Sequence, residues 1–283
     1  MLQPPQDISD PRLATLREIL REMEDLPLVS EVAAQLLRKL NQSNTSIRDL
    51  AQLVSRDSAL CSHVMKIANS SFYRRRGQVN SLEGALLLLG EKALKELAID
   101  TSLRSFRAAS GAVEKRLQSE ARQCAIAARR VAQEIADIDP DEAFLAGMFR
   151  HVGRLVMHRR DPETFQQVLE LSKGQEERLL DIERGLFAYS HEMIGAVLLE
   201  LWNFSPLQVQ TVLHHHDFVE APGLAAEVRN LAAAINVAAT LCRALCVPHP
   251  GNALKMLQNC PGLHFLRLSP SQLTILQQDL ASL

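Results

Sequence analysis

The feature that most constrains the fold of this chain is a repeated helix-start signal, an aspartate or serine followed directly by proline. The first side chain can accept a hydrogen bond from a free amide of the first turn, and proline suits the first helical position because no amide hydrogen is needed there. The signal occurs at Asp10–Pro11, Asp139–Pro140, Asp161–Pro162, Ser205–Pro206 and Ser269–Pro270. Amphipathic stretches lie between these signals, so the chain is predicted to be all-α.

The composition supports the same fold class. Hydrophobic residues make up 47% of the sequence and aromatic residues only 4%, so the core must be built from Leu, Ala, Val and Ile. Such a composition favours helices over strands, and no segment shows strand alternation bounded by hairpin turns. Ser46 and Asp49 have the spacing of a capping box at a helix start. One helical stripe near the middle of the chain is occupied by Leu117, Cys124, Ala128, Val131 and Ile135.

One break in the pattern indicates a boundary between subdomains. The stretch "RAASGAVEK", residues 107–115, is rich in small residues and follows the polar end of a helical segment. We therefore predict an N-terminal extension with the start of the first helix over residues 1–19, an N-terminal helical subdomain over 20–110, and a second helical subdomain over 111–283.

Charge and cysteine content exclude several classes of function. The net charge of −2 leaves no bulk electrostatic reason to expect a nucleic-acid partner. The five cysteines form no CxxC pair, so reduced thiols and a cytoplasmic location are expected. The apolar runs are too short to cross a bilayer and the N-terminus has no apolar signal segment, so no membrane association is expected.

Histidines gather in the second half of the chain. The stretch "AFLAGMFRHVGRLVMH", residues 143–158, is predicted to be one helix carrying His151 and His158; His191 begins another helix, and "LHHHDF" ends a third. Neutral imidazole is the commonest metal ligand in proteins, but Arg150 beside His151 has a fixed charge and no lone pair to offer. These histidines are therefore either helix caps and surface groups or parts of a site, and the motifs HExxH and GxSxG are absent from the sequence.

Several segments together resemble the HDOD family, a non-catalytic offshoot of the HD-type metal-dependent phosphohydrolases. They are the stretch from "LPLVSEVAAQLLRKLN" to "ANSSFYRRRGQVNSLEGALLLLG" and the later "DPDEAFLAGMFRHVGRLVM", "SHEMIGAVLLELWNFSPLQVQTVLHHHDF" and "LAAAINVA". The resemblance implies an N-terminal helical bundle packed on a degenerate HD-like helical domain. It also implies a regulatory role in signalling, exerted through a protein partner rather than through turnover.

The resemblance also implies a degenerate site. The histidine–aspartate pair that binds metal in catalytic HD relatives falls on Arg150 and His151, and the upstream histidine falls near Glu120. The later histidines match His191 and the pair His215–His216, and the late aspartate falls near Asn236. A guanidinium within a few Å of a divalent ion repels it by several kcal/mol at an effective dielectric constant of about 20. We therefore expect no dinuclear metal centre, no cofactor and no hydrolysis.

Alternatives remain for the pocket and for the function. Arg150 either pairs with an acid such as Glu120 or helps the histidines to bind a phosphate-like anion or nucleotide, and a single ion at His191 with His215 or His216 is a third option. The expected partner surface contains Phe72, Tyr73, Arg74, Arg75 and Arg76, although a solvated turn has the same composition. The alternative function is a metal-dependent phosphodiesterase that uses His151, His191, His215 and His216.

Overall fold

The computed structural model describes residues 11–22, 31–40, 45–70, 79–105, 111–173, 176–202, 204–246 and 255–281. Within these ranges every regular element is helical and no strand occurs, which confirms the all-α prediction. The chain forms two compact units, one of which is Glu24–Gly111 with Trp202–Phe204. The other unit contains the first helix together with Ala112–Leu201 and Ser205–Leu283.

In the part of the smaller unit that the structure describes there are four helices. They are α2 (Glu31–Leu40), α3 (Ile47–Val54), α4 (Ser58–Ala68) and α5 (Leu82–Ser105). The predicted capping box is present, because Ser46 Oγ accepts from the Asp49 amide and Asp49 Oδ2 accepts from the Ser46 amide. Helix α5 is interrupted at Gly90, whose φ of 74° lies in the left-handed region that favours glycine.

The larger unit holds the remaining helices. They are α1 (Pro11–Glu22), α6 (Ala112–Gln133), α7 (Pro140–Phe149), α8 (Val152–Arg160), α9 (Pro162–Ser172), α10 (Glu176–Phe187), α11 (His191–Leu201), α12 (Pro206–His214), α13 (Ala226–Cys246), α14 (Pro261–Leu266) and α15 (Pro270–Ala281). Helices α1, α7, α9, α12 and α15 each begin at a proline of the predicted start signals. Asp161, for example, accepts a hydrogen bond from the Thr164 amide at 2.9 Å. Asp10 lies outside the described residues.

Helix α1 belongs to this larger unit through its contact with α11. Arg17 Nε donates to Glu200 Oε2 at 3.2 Å across the two helices. The apolar face of α1, with Leu13, Leu16 and Leu20, is buried. The first helix of the chain therefore packs with the second half of the sequence, although the domain limits predicted above stay predictions.

The core of the larger unit lies between α6, α7 and α13 and is built from small side chains. Cys124, Ala128 and Val131 of the predicted stripe are fully buried, and Ile135 packs against the same core. Alanine faces allow helices to approach closely. A Cβ added at Gly147 of α7 would lie 2.9 Å from the Cys124 carbonyl oxygen of α6, so the α6–α7 contact requires glycine there.

The segment predicted as one helix around His151 is two helices. Helix α7 ends at Phe149 and α8 begins at Val152, with His151 between them at φ −114° and ψ 17°. The direction of α8 is set by a tertiary contact, because Gly153 lies against the backbone of His191 in α11. His151 and His158 therefore do not share a helix, and the prediction of a continuous helix was wrong at Arg150–His151.

Among the described residues, no helix combines the length and the apolarity that crossing a membrane would require.

Candidate functional site

Four imidazoles meet in the larger unit, and the sequence points to all four. His151 lies at the α7–α8 junction, His191 is the first residue of α11, and His215 and His216 directly follow α12. One ring nitrogen of each lies within 4.8 Å of the corresponding nitrogen of the others. We call these four residues the imidazole cluster.

Close packing of α8, α11 and α12 brings the imidazole cluster together. A Cβ at Gly153 of α8 would lie 2.1 Å from the His191 carbonyl oxygen, and one at Gly195 of α11 would lie 3.0 Å from Val212 Cγ1 of α12. Any larger residue at Gly153 would therefore push the first turn of α11 away from α8. These two glycines determine the distance between the helices that carry the histidines.

Glu183 of α10 orients His191. Its Oε2 atom accepts from the His191 amide at 2.8 Å and from His191 Nδ1–H at 2.7 Å. Burial raises the pKa of Glu183 to about 7, and the positive charge of Arg154 and the hydrogen bond from the His191 amide oppose this rise. Because the Nδ1 proton is directed at Glu183, the Nε2 lone pair of His191 faces the cluster, 3.2 Å from His216 Nε2.

His215 is oriented by the end of α12. Its Nδ1–H donates to the Val212 carbonyl at 2.7 Å, which leaves the lone pair on Nε2. This buried Nε2 atom has no hydrogen-bond partner in the described part of the chain. His215 therefore has the same tautomer as His191, with a bare Nε2.

Arg154 of α8 joins the cluster to Glu183. Its Nη1 donates to His151 Nδ1 at 3.1 Å, and its Nε lies 3.6 Å from Glu183 Oε1. Burial lowers the pKa of Arg154 to about 10, while the charge of Glu183 raises it. The sequence predictions missed both Arg154 and Glu183. A charged residue inside the apolar stretch "HVGRLVM" was the available signal for Arg154, whereas no sequence signal marks Glu183.

All four imidazoles are held neutral. Burial is the largest cause that lowers the pKa of His151, His191, His215 and His216 well below the usual value. Arg150 and Arg154 contribute in each case because their positive charges disfavour a protonated ring. At pH 7 the cluster therefore consists of four uncharged imidazole rings that lie beside two positively charged guanidinium groups.

Glu120 and Arg150 are not members of the imidazole cluster, although the charge of Arg150 acts on all four rings. Glu120 is half-exposed and accepts a hydrogen bond from Arg116 Nε at 2.8 Å on the same helix. Its observed partner is therefore Arg116, whereas a pairing with Arg150 was one of the expected alternatives. Arg150 is buried and hydrogen-bonds to the Cys124 thiol; burial raises the pKa of that thiol and the Arg150 charge opposes the rise.

Asn236 is likewise not a member of the imidazole cluster. Asn236 Oδ1 accepts from the Gly262 amide at 3.1 Å and from Cys260 Sγ at 3.2 Å, so this carboxamide fastens the start of α14 to α13. Residues 72–76, which form the expected partner surface, lie outside the described residues.

The donor set does not fit the dinuclear centre of HD-type phosphohydrolases. Such a centre needs a carboxylate that bridges two ions. The two described carboxylates nearest to the cluster contact the Nδ1 side of His191: Glu183 at 2.7 Å and Glu192 Oε2 at 3.7 Å. Glu192 is also bound by Arg184 Nη2 at 2.8 Å and by Ser190 Oγ at 2.7 Å. The inner face of the cluster consists of imidazole nitrogens, which can hold a single transition-metal ion but cannot bridge two.

Solved structures with the same fold come from several bacteria. A Shewanella amazonensis SB2B protein described as a candidate phosphohydrolase has a TM-score of 0.72 at 20% identity, over 98% of this chain and 95% of that one. A candidate signal transduction protein of Marinobacter aquaeolei VT8 has a TM-score of 0.66 at 19% identity, over 98% and 63%. An HDOD domain protein of Geobacter sulfurreducens, whose function is unknown, has a TM-score of 0.61 at 24% identity, over 97% and 98%.

Curated relatives are longer than this chain. An uncharacterised protein of Treponema pallidum (strain Nichols) is 21% identical over 208 residues, which are 72% of this chain and 40% of that protein. The uncharacterised protein YuxH of Bacillus subtilis (strain 168) is 25% identical over 138 residues, which are 47% of this chain and 32% of that protein. The chain thus spans less than half the length of the curated relatives it matches. The pattern of the HDOD domain matches residues 26–218, and the chain therefore belongs to the HDOD domain family.

Proposed function

We propose that this protein is a non-catalytic regulatory module of signal transduction that acts through contact with a protein partner. The observation that carries the proposal is the arrangement of donors around the imidazole cluster. Nitrogen atoms occupy the inner face, while Glu183 and Glu192 are held on the Nδ1 side of His191 by other groups. Two-metal hydrolysis requires a bridging carboxylate and an activated water between ions, and this arrangement supplies neither.

Membership of the HDOD family supports a regulatory role, and one structural neighbour is described as a candidate signal transduction protein. The matched relatives are longer than this chain, so in those proteins the shared module is one part of a larger molecule. A module of this kind regulates by binding. A buried cluster of imidazole nitrogens can change which ligand or neighbouring group it contacts, but it does not convert a substrate.

The test of the non-catalytic assignment is a turnover assay on untagged protein. Bis(p-nitrophenyl) phosphate and cyclic dinucleotides are incubated with the protein and with Mg²⁺, Mn²⁺ or Fe²⁺. We expect no hydrolysis above the rate of the same ions in buffer. Hydrolysis that His191→Gln removes would instead support the alternative, a metal-dependent phosphodiesterase that uses His151, His191, His215 and His216.

We further propose that the buried guanidinium groups beside the cluster bind an anionic small molecule, such as a phosphate or a nucleotide. Burial, together with the charges of Arg150 and Arg154, lowers the pKa of Arg243 to about 10, so the three cations interact. An anion between them would relieve this repulsion, and guanidinium suits phosphate because it donates two parallel hydrogen bonds.

Thermal shift measurements test the anion proposal. Phosphate and cyclic dinucleotides are added over a concentration series; a ligand present at about a hundred times its Kd stabilises the folded state by about 2.7 kcal/mol. We expect stabilisation by at least one of these anions in the wild type and none in Arg150→Ala. Arg122→Ala, on the exposed side of α6, is the control and should respond like the wild type. An absence of any shift across the series would contradict the proposal.

The partner surface is proposed at residues 72–76, on the basis of composition. A photo-crosslinking residue at Tyr73 should give a discrete crosslinked product with the partner, whereas the same residue at exposed Arg160 of α8 should not. Replacing Arg74, Arg75 and Arg76 by glutamate should abolish that product. Equal crosslinking from both positions would place the partner elsewhere.

A further inference from the structure

Two members of the imidazole cluster direct an Nε2 lone pair at its centre, and one of these lone pairs is not engaged. The Nδ1–H groups of His191 and His215 are committed to Glu183 and to the Val212 carbonyl, so in both neutral rings the lone pair is on Nε2. His191 Nε2 accepts a hydrogen bond from His216 Nε2–H at 3.2 Å, whereas His215 Nε2 has no hydrogen-bond partner among the described residues. Buried acceptors of this kind destabilise a protein unless something electron-poor binds them.

The spacing of the nitrogens suits one metal ion. Two nitrogen ligands that each lie about 2.1 Å from a tetrahedral ion are about 3.4 Å apart. The His191–His216 distance of 3.2 Å is close to that value, and all four ligand nitrogens lie within 4.8 Å of one another. Coordination through His216 Nε2 requires the proton on that nitrogen to shift to Nδ1, because Nε2–H otherwise donates to His191.

The groups behind the rings are also those of a metal site. A histidine that binds metal through Nε2 normally donates its Nδ1–H to a carboxylate or a backbone carbonyl, which fixes the tautomer and makes the ring a better ligand. Glu183 does this for His191 and Val212 does it for His215. Glu183 lies 3.6 Å from Arg154, so its carboxylate offsets part of the positive charge that Arg154 and Arg150 direct at the rings.

We propose that His191, His215 and His216, joined by His151, bind a single divalent transition-metal ion of the zinc, cobalt or nickel class. Ligands that are all imidazole favour these ions and disfavour Mg²⁺ and Ca²⁺, which prefer oxygen. Four protein ligands leave no open position, so the ion ties α8, α11 and α12 together instead of activating water. Its role as a regulatory input rests on the function proposed above, whereas the binding itself does not.

Arg154 competes with the ion for His151. Because Arg154 donates to His151 Nδ1, the neutral ring carries its proton on Nε2 and has no lone pair left for a metal. Binding of His151 therefore requires Arg154 to release it. Removal of the guanidinium by Arg154→Gln should both free His151 and remove a positive charge, and so should tighten metal binding.

The experiment is a titration of chelator-stripped, untagged protein. Co²⁺ binding is followed by its visible absorption, Zn²⁺ affinity by competition with a chromophoric chelator, and Mg²⁺ serves as the ion that should not bind. We expect one Co²⁺ or Zn²⁺ per chain. His215→Gln and His216→Gln should weaken binding by about tenfold or more, and Arg154→Gln should strengthen it by about tenfold.

The matched control is His214→Gln. His214 and His215 are neighbours and each is 2% exposed, but His214 Nδ1 is bonded to Asp217 at 2.9 Å and its ring is not in the imidazole cluster. His214→Gln should bind metal as the wild type does. His216 is only partly buried, so His216→Gln provides the test if circular dichroism shows that His215→Gln is unfolded.

The possible outcomes separate the metal-site proposal from the non-catalytic assignment. No saturable Co²⁺ or Zn²⁺ binding, or stoichiometric binding that survives both His215→Gln and His216→Gln, overturns the metal site and leaves the non-catalytic assignment intact. Metal binding with phosphodiester turnover overturns the non-catalytic assignment and keeps the site. Metal binding without turnover, weakened by the two cluster variants alone, supports both.

Discussion

At the scale of single residues, the site depends on a carboxylate that is completely buried. Glu183 receives two hydrogen bonds from His191 and faces Arg154, so it connects the imidazole cluster to the nearest buried positive charge. Charges are seldom buried unless they are paired, because removal from water costs several kcal/mol for each ion. The buried pair therefore does not by itself stabilise the fold. Its role is to hold His191 in one orientation and one tautomer.

Replacement of Glu183 by glutamine tests this role. Glu183→Gln keeps the shape of the side chain but leaves Arg154 buried beside a neutral group. We expect a loss of about 3 kcal/mol or more in the free energy of unfolding, measured by urea denaturation.

The matched control for Glu183→Gln is Glu120→Gln, at the half-exposed partner of Arg116. It should cost less than about 1 kcal/mol, because exposed ion pairs contribute little. Equal losses in the two variants would show that burial of Glu183 is not what makes its charge important.

At the scale of elements, the contact between α8 and α11 determines the geometry of the site. Gly153 allows the backbone of α8 to touch the backbone of α11 at His191. The same contact explains why the chain turns at Arg150–His151 instead of continuing α7. The turn places His151 at the end of a helix, where its ring reaches those of His191 and His215, with ring centroids 4.9 and 5.8 Å away.

Gly153→Ala tests the α8–α11 contact. The added Cβ would lie 2.1 Å from the His191 carbonyl oxygen, so the helices must separate. We expect destabilisation by about 3 kcal/mol and weaker metal binding. Gly185→Ala in α10 is the control, since no atom lies within 4 Å of the added Cβ. That variant should be neutral or gain up to about 1 kcal/mol from helix propensity. A Gly153→Ala protein as stable as the wild type would show that the contact is looser than described.

At the scale of the whole molecule, the buried imidazoles couple folding to pH. Their pKa values lie well below the usual value in the folded protein, mainly because of burial, so below about pH 6.5 the unfolded chain binds more protons than the folded one. Stability is therefore lost as pH falls through that value. Glu183 acts in the opposite direction, because its folded pKa of about 7 exceeds the ordinary value of 4.5 and favours the folded state as pH falls from 7 to 4.5.

The four histidines outnumber this single carboxyl group, so the free energy of unfolding decreases overall as the pH falls. In the presence of a chelator, we expect the Tm to fall steadily between pH 7 and pH 5.5. Four rings that stay neutral give a slope of at most about 5 kcal/mol per pH unit in unfolding free energy, and Glu183 offsets about 1.4 of it.

His216→Gln should make this pH dependence shallower, because it removes one ring whose pKa is lowered in the folded protein. His264→Gln should leave it unchanged, because His264 is an exposed residue outside the cluster. A Tm that stays constant over this range would contradict the neutral state of the imidazoles.

The sequence predicts much of the helical architecture because its signals are local. A start signal such as Asp161–Pro162 or Ser205–Pro206 acts within one turn of the chain, so it works without knowledge of the rest of the fold. The capping box at Ser46 and the buried stripe of α6 are confirmed for the same reason. The four histidines are identified by their positions near helix ends and by the resemblance to a family.

What the sequence cannot predict are interactions between residues that are far apart along the chain. Glu183 precedes His191 by eight residues in another helix, and Arg154 contacts it across more than twenty-five. The sequence leaves Arg150 either paired with an acid such as Glu120 or bound to an anion, and it gives no sign that Glu120 accepts from Arg116 or that Arg150 acts on Cys124. Helix starts follow from local backbone chemistry, and the sequence alone determines them. Which charge faces which imidazole depends on how α8, α10 and α11 pack, and only the tertiary structure decides it.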